Sequence, residues 1–334
     1  MNIIKLSDIN VTSKKVIVRM DLDVTDDYTR IETAKDTLKY LVDNKAKIII
    51  IGHKGRPEGK IVKDLSLEPL AKVISGIIGS DVKFIANFQD LKDEEIVLLE
   101  NLRFDARESF DPAQDAGAEE FSKELAALGD IYVNEAFAVS HRAHASIVGI
   151  PKLLPHAAGF RFGDEIEHLS RVIENPDRPL VFLISGIKKD KLEMIEAIKK
   201  LADKVLVAGR LPDFMAGDYK DEKVVVAQLN PDKEDVTLRS IENFEDEIKN
   251  AKTIVLAGVI GKYEDEGHRL GTKKVFEAVA KSGAYKVAGG GDTEAALTML
   301  RLTDKFDWIS VGGGAMLELL AKGTLPGIEV LKGR

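Results

Sequence analysis

Cysteine is absent from the 334 residues of this sequence. Disulfide bonds, thiolate metal sites and a cysteine nucleophile are therefore excluded, and we expect the chain to act in a reducing, cytoplasmic environment. It also has no apolar run of the roughly eighteen residues that a membrane-spanning helix needs, and no signal segment opens it. We therefore expect no association with membranes.

Basic residues are fewer than acidic ones. The chain has 48 lysines and arginines against 56 acidic residues, which gives a net charge of −8 and argues against a general nucleic-acid surface. Residues 1–155 alone hold 21 basic and 26 acidic residues. An anionic ligand there would have to be attracted by a few arginines grouped in one place, because the overall charge of this segment is negative. We expect small-molecule partners, no nucleic acid, and a monomer.

Several catalytic fingerprints are missing as well. The chain has no glycine-rich dinucleotide motif after an early strand, no Walker A loop, no nucleophile elbow and no His-Glu-x-x-His zinc helix. A nicotinamide-dependent dehydrogenase therefore has only the general α/β pattern in its favour.

That α/β pattern runs through the whole chain. Short Val/Ile/Leu-rich runs, typical of parallel strands covered on both faces, alternate with amphipathic segments. The predicted strands are 15–20, 46–51, 82–85, 95–99, 131–134, 179–184, 203–208, 223–227, 252–257, 284–288 and 307–310. Predicted helices include 34–44, 67–78, 115–128, 190–201, 271–281 and 292–301. The length and the alternation predict two doubly wound, Rossmann-like parallel-sheet lobes joined by a helix and hinge.

The boundary between the lobes is expected near Pro151 to Pro155. The helical stretch Gly163–Glu174 could be a core helix or a connector, and its place between two complete α/β patterns favours the connector. We therefore predict a first lobe at 1–155, a connecting helix at 156–175 and a second lobe at 176–318. Residues 319–334 are expected to return to the first lobe.

The strongest local signal is Gly289-Gly290-Gly291-Asp292-Thr293, between a predicted strand and a helix. Glycines there would let a phosphate approach the backbone and the first helical N–H groups, and Asp292 could hold Mg²⁺. Alternatively, the glycines only form a tight turn and Asp292 or Thr293 caps the helix. The residues alone leave both interpretations open.

Basic side chains follow several strands. Lys188, Lys189 and Lys191 come after one strand of the second half, where they indicate either an anionic ligand or a solvated helix start. In the first half, basic clusters follow four strands at one predicted sheet edge, and together they are typical of a pocket for a small polyanion. These clusters contain Arg19, Arg30, His53–Pro57, Arg103 and Ser140–Ser146.

These motifs resemble, in order and spacing, the phosphoglycerate kinase family over almost the whole chain, with a poor match at 210–250. Motifs similar to the substrate lobe are Arg19–Val24, Thr29–Ile31, His53–Pro57, Leu98–Phe104 and Asn134–Gly149. Motifs similar to the nucleotide lobe are Ser185–Lys191, Gly258–Glu264, Gly289–Thr293 and Gly312–Ala315.

The resemblance implies a role for each matching residue. The implied ligands of 3-phosphoglycerate or 1,3-bisphosphoglycerate are Asp21, Leu22, Asp23, Arg30, His53, Lys54, Gly55, Arg56, Arg103 and Arg142. The implied catalytic residues are Arg30, Lys188 and Lys191. Lys191, Glu264, Gly290, Gly291, Asp292 and Thr293 would bind ADP or ATP, with Asp292 on Mg²⁺.

The implied activity is reversible phosphoryl transfer between 1,3-bisphosphoglycerate and ADP in glycolysis. Transfer would be in line after lobe closure, without a covalent enzyme intermediate. The alternative is a non-catalytic binding or regulatory relative, but transfer residues present in both lobes favour an enzyme. Asp23 stands where the family usually has Asn, and Arg210-Leu211-Pro212 replaces the glycine and methionine usual beside adenine.

Overall fold

The computed structural model describes residues 1–25, 27–109, 115–187, 190–215 and 219–333. Internal contacts divide the chain into two compact units, Met1–Ile166 with Leu325–Arg334, and Glu167–Thr324. The predicted lobe limits, at residues 155 and 318, fall earlier in the chain than these divisions. The assignment of a ligand to each lobe stays a prediction.

The first unit contains a six-stranded parallel sheet in the order β3-β4-β2-β1-β5-β6. Its strands are β1 (Lys15–Met20), β2 (Lys47–Ile51), β3 (Lys83–Ile85), β4 (Ile96–Leu99), β5 (Ile131–Glu135) and β6 (His156–Ala158). In the central strand, Val16 pairs with Ile48 on one side and with Ile131 on the other. Every residue of β1 after Lys15 is buried, which explains its unbroken apolar run.

Helices cover both faces of this sheet. They are α1 (Thr29–Glu32), α2 (Lys35–Asp43), α3 (Glu68–Ile78), α4 (Asp115–Ala126) and α5 (Ile150–Leu153), with α12 (Pro326–Glu329) from the C-terminal segment. Val16 and Val18 join one core cluster with α2 and α3, whereas Ile17 joins another with α4. Because successive strand residues point to opposite faces, one strand serves both cores.

The second unit has its own parallel sheet in the order β12-β11-β10-β7-β8-β9. Its strands are β7 (Leu180–Gly186), β8 (Lys204–Gly209), β9 (Val224–Val226), β10 (Thr253–Ala257), β11 (Tyr285–Gly289) and β12 (Trp308–Ser310). Its helices are α7 (Asp190–Leu201), α8 (Leu238–Asn250), α9 (Leu270–Lys281), α10 (Gly291–Met299) and α11 (Gly313–Lys322). The predicted fold class, two doubly wound parallel-sheet lobes, is confirmed.

A fifteen-residue helix, α6 (Phe160–Glu174), runs across the division between the units. At its start, the buried carboxylate of Glu135 accepts hydrogen bonds from the N–H of Arg161 at 3.2 Å and of Phe162 at 3.0 Å. A side chain at Gly159 would collide with that carboxylate. The helix N-terminus is therefore anchored to the end of β5. Within the described ranges, no helix is long and apolar enough to cross a membrane.

Candidate active site

Basic residues of the first unit gather at one edge of its sheet. The strands β4, β2, β1 and β5 are direct neighbours and all run parallel, so their carboxyl ends lie at the same edge. Loops that leave these four strands carry Arg30, His53, Arg103 and Arg142. The sequence argument for four basic clusters at a common edge is thus matched by the sheet order.

The loop after β1 combines two carboxylates with an arginine. Nη1 of Arg30 lies 3.6 Å from Oδ2 of Asp21 and donates to the backbone carbonyl of Asp23 at 3.3 Å. Burial is the main cause that raises the pKa of Asp21, with the cations of Arg30 and Arg19 acting in the opposite direction. The Leu22 side chain is fully buried, so that residue can offer a ligand only its backbone.

The loop after β2 is held by the motif that follows β4. Nδ2 of Asn101 donates to the carbonyls of Lys54, at 2.7 Å, and Leu65, at 2.9 Å. Nη1 of Arg103 donates to the carbonyl of Gly55 at 2.7 Å. These bonds fix a segment in which Arg56 remains exposed, so the spacing of Asn101 and Arg103 has a structural purpose, which is to hold this loop.

Positive charge is concentrated around two buried histidines. Burial, followed by the charges of Arg19 and Arg103, lowers the pKa of His53 far below its ordinary value. Burial and the same two arginines lower the pKa of His144 to about 3. Burial, followed by repulsion from Arg19 and Arg142, also lowers the pKa of Arg103, to about 10. This excess of positive charge favours an anionic ligand.

Sequence reasoning finds Arg19 and Ser146 but misses Glu108, and it does not show how the three are connected. Arg19 is fully buried, although a lone arginine is usually a surface residue, and it contacts both His53 and Ser146. Glu108 is also fully buried and accepts two hydrogen bonds from Ser146. Only the folded chain reveals Glu108, because it follows Arg103 in an ordinary polar stretch.

In the second unit, two helix N-termini meet at the carboxyl edge of the sheet. Gly290 links β11 to α10 with a φ of 109°, which favours glycine. A Cβ on Gly313, at the start of α11, would lie 2.5 Å from the Cα of Gly290. Gly291 and Asp292 are exposed, and Oγ1 of Thr293 accepts from the N–H of Gly258 at 3.1 Å. The two helix ends favour a negatively charged ligand.

The predicted lysines follow β7. Nζ of Lys191 donates to the carbonyl of Ser185 at 2.5 Å and to that of Ala257 at 3.4 Å. Its ammonium group is therefore placed between the ends of β7 and β10. Lys188, the other predicted catalytic lysine, lies outside the described residues.

The segment that carries Glu264 is supported from α9 and the turn before it. Arg269 donates to the carbonyls of Tyr263, at 2.6 Å, and Glu264, at 3.1 Å. Oγ1 of Thr272 accepts from two backbone N–H groups of the preceding loop. The Glu264 side chain itself is exposed, so it is available to a ligand.

Comparisons with known proteins decide the family. The family model described as phosphoglycerate kinase matches residues 6–216 and 212–323. A protein named phosphoglycerate kinase from Finegoldia magna is 34% identical over an alignment of 401 positions, gaps included, which covers 100% of both chains. One of the same name from Dictyoglomus turgidum is 34% identical over 397 positions, covering 99% of this chain and 98% of its own. The chain belongs to the phosphoglycerate kinase family.

Solved structures agree with this family assignment. The phosphoglycerate kinase from Coxiella burnetii matches with a TM-score of 0.83 and 29% identity, over 98% of each chain. That from Pyrococcus horikoshii matches with a TM-score of 0.82 and 27% identity, over the same shares. The family and the phosphotransferase class predicted from the sequence are confirmed.

The family model matches the chain in two segments that overlap at residues 212–216, inside the stretch where the sequence resemblance is poor. There, Asp213 accepts from Nε of Arg210 at 2.8 Å and pairs with Nζ of Lys233 at 2.9 Å. Paired charges therefore follow β8, in a segment that also exposes Phe214.

Proposed function

We propose that this chain is an active phosphoglycerate kinase, which transfers a phosphoryl group reversibly between 1,3-bisphosphoglycerate and ADP. The observation that carries the proposal is the convergence of Arg30, His53, Arg103 and Arg142 on one sheet edge. A separate glycine-lined anion site in the second unit supports it. Two anion sites are what a transfer between two phosphorylated substrates requires.

The first unit is assigned to 3-phosphoglycerate and 1,3-bisphosphoglycerate. Its arginines present planar forks that suit carboxylate and phosphate oxygens. Arg103 and Arg142 are assigned to the bound anion, and Arg30 to the phosphoryl group in transfer. The remaining proposed contacts are Asp21, Leu22, Asp23, His53, Lys54, Gly55 and Arg56.

The second unit is assigned to ADP and ATP. The N–H groups at the start of α10 would bind phosphate, with Gly290, Gly291 and Thr293 shaping the loop. Lys191 and Lys188 are assigned to phosphate charge and Glu264 to the ribose. Direct in-line transfer needs no nucleophilic side chain, so positioning and charge neutralisation supply the catalysis.

Asp292 is the proposed ligand of Mg²⁺. Its carboxylate is exposed, and no hydrogen bond to it occurs from any residue that the structure describes. No cluster of three acidic or histidine side chains that could hold a metal occurs within the described ranges either. One carboxylate fits Mg²⁺ that arrives with a nucleotide, because this ion usually takes one or two carboxylates plus phosphate oxygens. When bound, it would neutralise phosphate charge.

A coupled assay with 3-phosphoglycerate and Mg-ATP tests the function. The expected result is formation of 1,3-bisphosphoglycerate, which is detected by a coupling dehydrogenase that reduces this product. Asp292→Asn should lower turnover strongly, whereas Asp246→Asn, which changes an exposed carboxylate of α8, should not. Binding of both substrates without turnover would instead identify a non-catalytic relative.

The lack of cysteine supports a cytoplasmic setting for this reaction.

A further inference from the structure

A buried carboxylate lies behind the basic edge of the first unit. Glu108 has no exposed surface. Its Oε2 accepts from the backbone N–H of Ser146 at 3.0 Å, and its Oε1 accepts from the Ser146 hydroxyl at 2.6 Å. A buried carboxylate with two donors from one residue determines where the proton of that hydroxyl points.

The orientation of the Ser146 hydroxyl in turn fixes the hydrogen bonds of Arg19. The Ser146 hydroxyl uses its only proton in the hydrogen bond to Glu108, so its oxygen can only accept from Nε of Arg19, which lies 2.9 Å away. Nη1 of Arg19 donates to the carbonyl of Met20 at 2.6 Å. The guanidinium is thus held by two acceptors, and its Nη2 lies 3.9 Å from Oε1 of Glu108. A fully buried cation requires such a counter-charge nearby.

The last link reaches His53. Nη2 of Arg19 lies 2.7 Å from Nδ1 of His53. A guanidinium has donors and no acceptor, so Nδ1 must accept and carries no proton. A neutral ring then has its proton on Nε2. The charged groups that act on His53 are Arg19, Arg103 and Arg142, together with His144, and all of them disfavour a second proton on the ring.

We infer that Glu108 is a positioning residue, which acts through Ser146 and Arg19 to fix His53 as a neutral imidazole protonated on Nε2. In this tautomer, His53 offers a hydrogen-bond donor to an anionic oxygen without adding another charge. The identity of that anion rests on the proposed function. The tautomer does not, because it follows from the hydrogen bonds of the protein alone.

Ser146→Ala tests this relay, because it removes the hydroxyl and leaves the backbone N–H that Glu108 also binds. Ser122→Ala is the matched control: Ser122 is also buried in the same unit, and its hydroxyl proton is shared between the carbonyls of Ala118, at 2.7 Å, and Ala145, at 3.3 Å. The readout is the pair of ring ¹⁵N shifts of His53 in histidine-labelled protein, assigned with His53→Gln.

In the wild type and in Ser122→Ala, we expect a single Nε2-protonated form at neutral pH. In Ser146→Ala, we expect a mixture of both tautomers and an affinity for 3-phosphoglycerate about tenfold weaker, as the loss of a hydrogen bond to a charged group implies. An Nδ1-protonated or charged His53 in the wild type would overturn the inference. Identical shifts in Ser146→Ala and Ser122→Ala would overturn it equally.

If Ser146→Ala does not fold, Glu108→Gln gives the same comparison. An amide matches the carboxylate in shape but offers one acceptor oxygen to the two Ser146 donors, so the single tautomer should be lost. Unchanged shifts in Glu108→Gln would count against the relay. If the ring ¹⁵N shifts of His53 are as expected but the protein does not bind 3-phosphoglycerate, the proposed function is contradicted. The inference about the His53 tautomer then still holds.

Discussion

Oδ1 of Asp23 accepts a hydrogen bond of 2.9 Å from the backbone N–H of Gly55, which joins the loop after β1 to the loop after β2. An asparagine could supply the same acceptor through its amide oxygen. Compared with an asparagine, Asp23 therefore adds a negative charge but no further hydrogen bond to the protein. That charge also contributes to the raised pKa of Asp21.

We predict that Asp23→Asn lowers the KM for 3-phosphoglycerate about fivefold, since removal of one unfavourable charge at a partly solvated site is worth about 1 kcal/mol. Steady-state kinetics measure the change. Asp23→Leu, which loses the acceptor for Gly55 as well, should raise KM. A higher KM in Asp23→Asn would show that the carboxylate helps to bind the substrate.

Arg30 and Arg142 should affect different kinetic parameters. We predict that Arg30→Ala lowers kcat about a hundredfold with little change in KM, because Arg30 is proposed to meet charge that develops during transfer. Arg142→Ala should mainly raise the KM for 3-phosphoglycerate, because it meets a ground-state anion. Comparable losses of both parameters in both variants would refute this distinction.

Glu135 should make stability depend on pH. Burial is the main cause that raises its folded-state pKa from 4.5 to about 7, so the folded protein binds this proton more tightly than the unfolded chain. The free energy of unfolding should therefore fall as pH rises from about 4.5 to 7, by up to about 3 kcal/mol. Urea denaturation across this range measures it. Glu135→Gln cannot titrate and should show a flatter profile, and equal slopes would exclude Glu135 as the cause.

Nucleotide affinity should rest on the phosphates more than on the base. The ion pairs of Asp213 with Arg210 and Lys233 place charged groups after β8, and a site with fewer apolar walls discriminates less between bases. We predict that ATP and GTP support rates within about tenfold of each other. Kinetics with both nucleotides at matched Mg²⁺ decide this, and a preference for ATP of roughly several hundredfold would show that a specific base site exists.

Most of the fold could be predicted because parallel strands are buried on both faces and leave a clear pattern. Every strand of the described structure was predicted except β6, whose three residues, His156-Ala157-Ala158, include none of the Val, Ile, Thr, Tyr, Phe and Trp side chains that favour strands. Such a short edge strand is defined by its pairing with β5. Its own sequence carries almost no preference.

The basic edge could be predicted for a similar reason, since the order of strands and loops brings strand ends together. The hydrogen-bond network of Arg19, Ser146 and Glu108 could not be predicted from the sequence. Arg19 and Ser146 are 127 residues apart, and Ser146 and Glu108 are 38 apart. No spacing along the chain relates them, because strand β1, which carries Arg19, and the two separate segments that carry Glu108 and Ser146 meet only when the sheet has formed.

The C-terminal segment completes the first unit. The N–H of Gly327 donates to the carbonyl of Ser140 at 2.9 Å, and the N–H of Ile4 donates to that of Leu331 at 3.2 Å. In the order of synthesis, the first unit therefore remains unfinished until Gly327 and Leu331 have left the ribosome. The loop of Arg142, which begins beside Ser140, receives this support only then, so the basic edge of a nascent chain is incomplete until these residues have emerged.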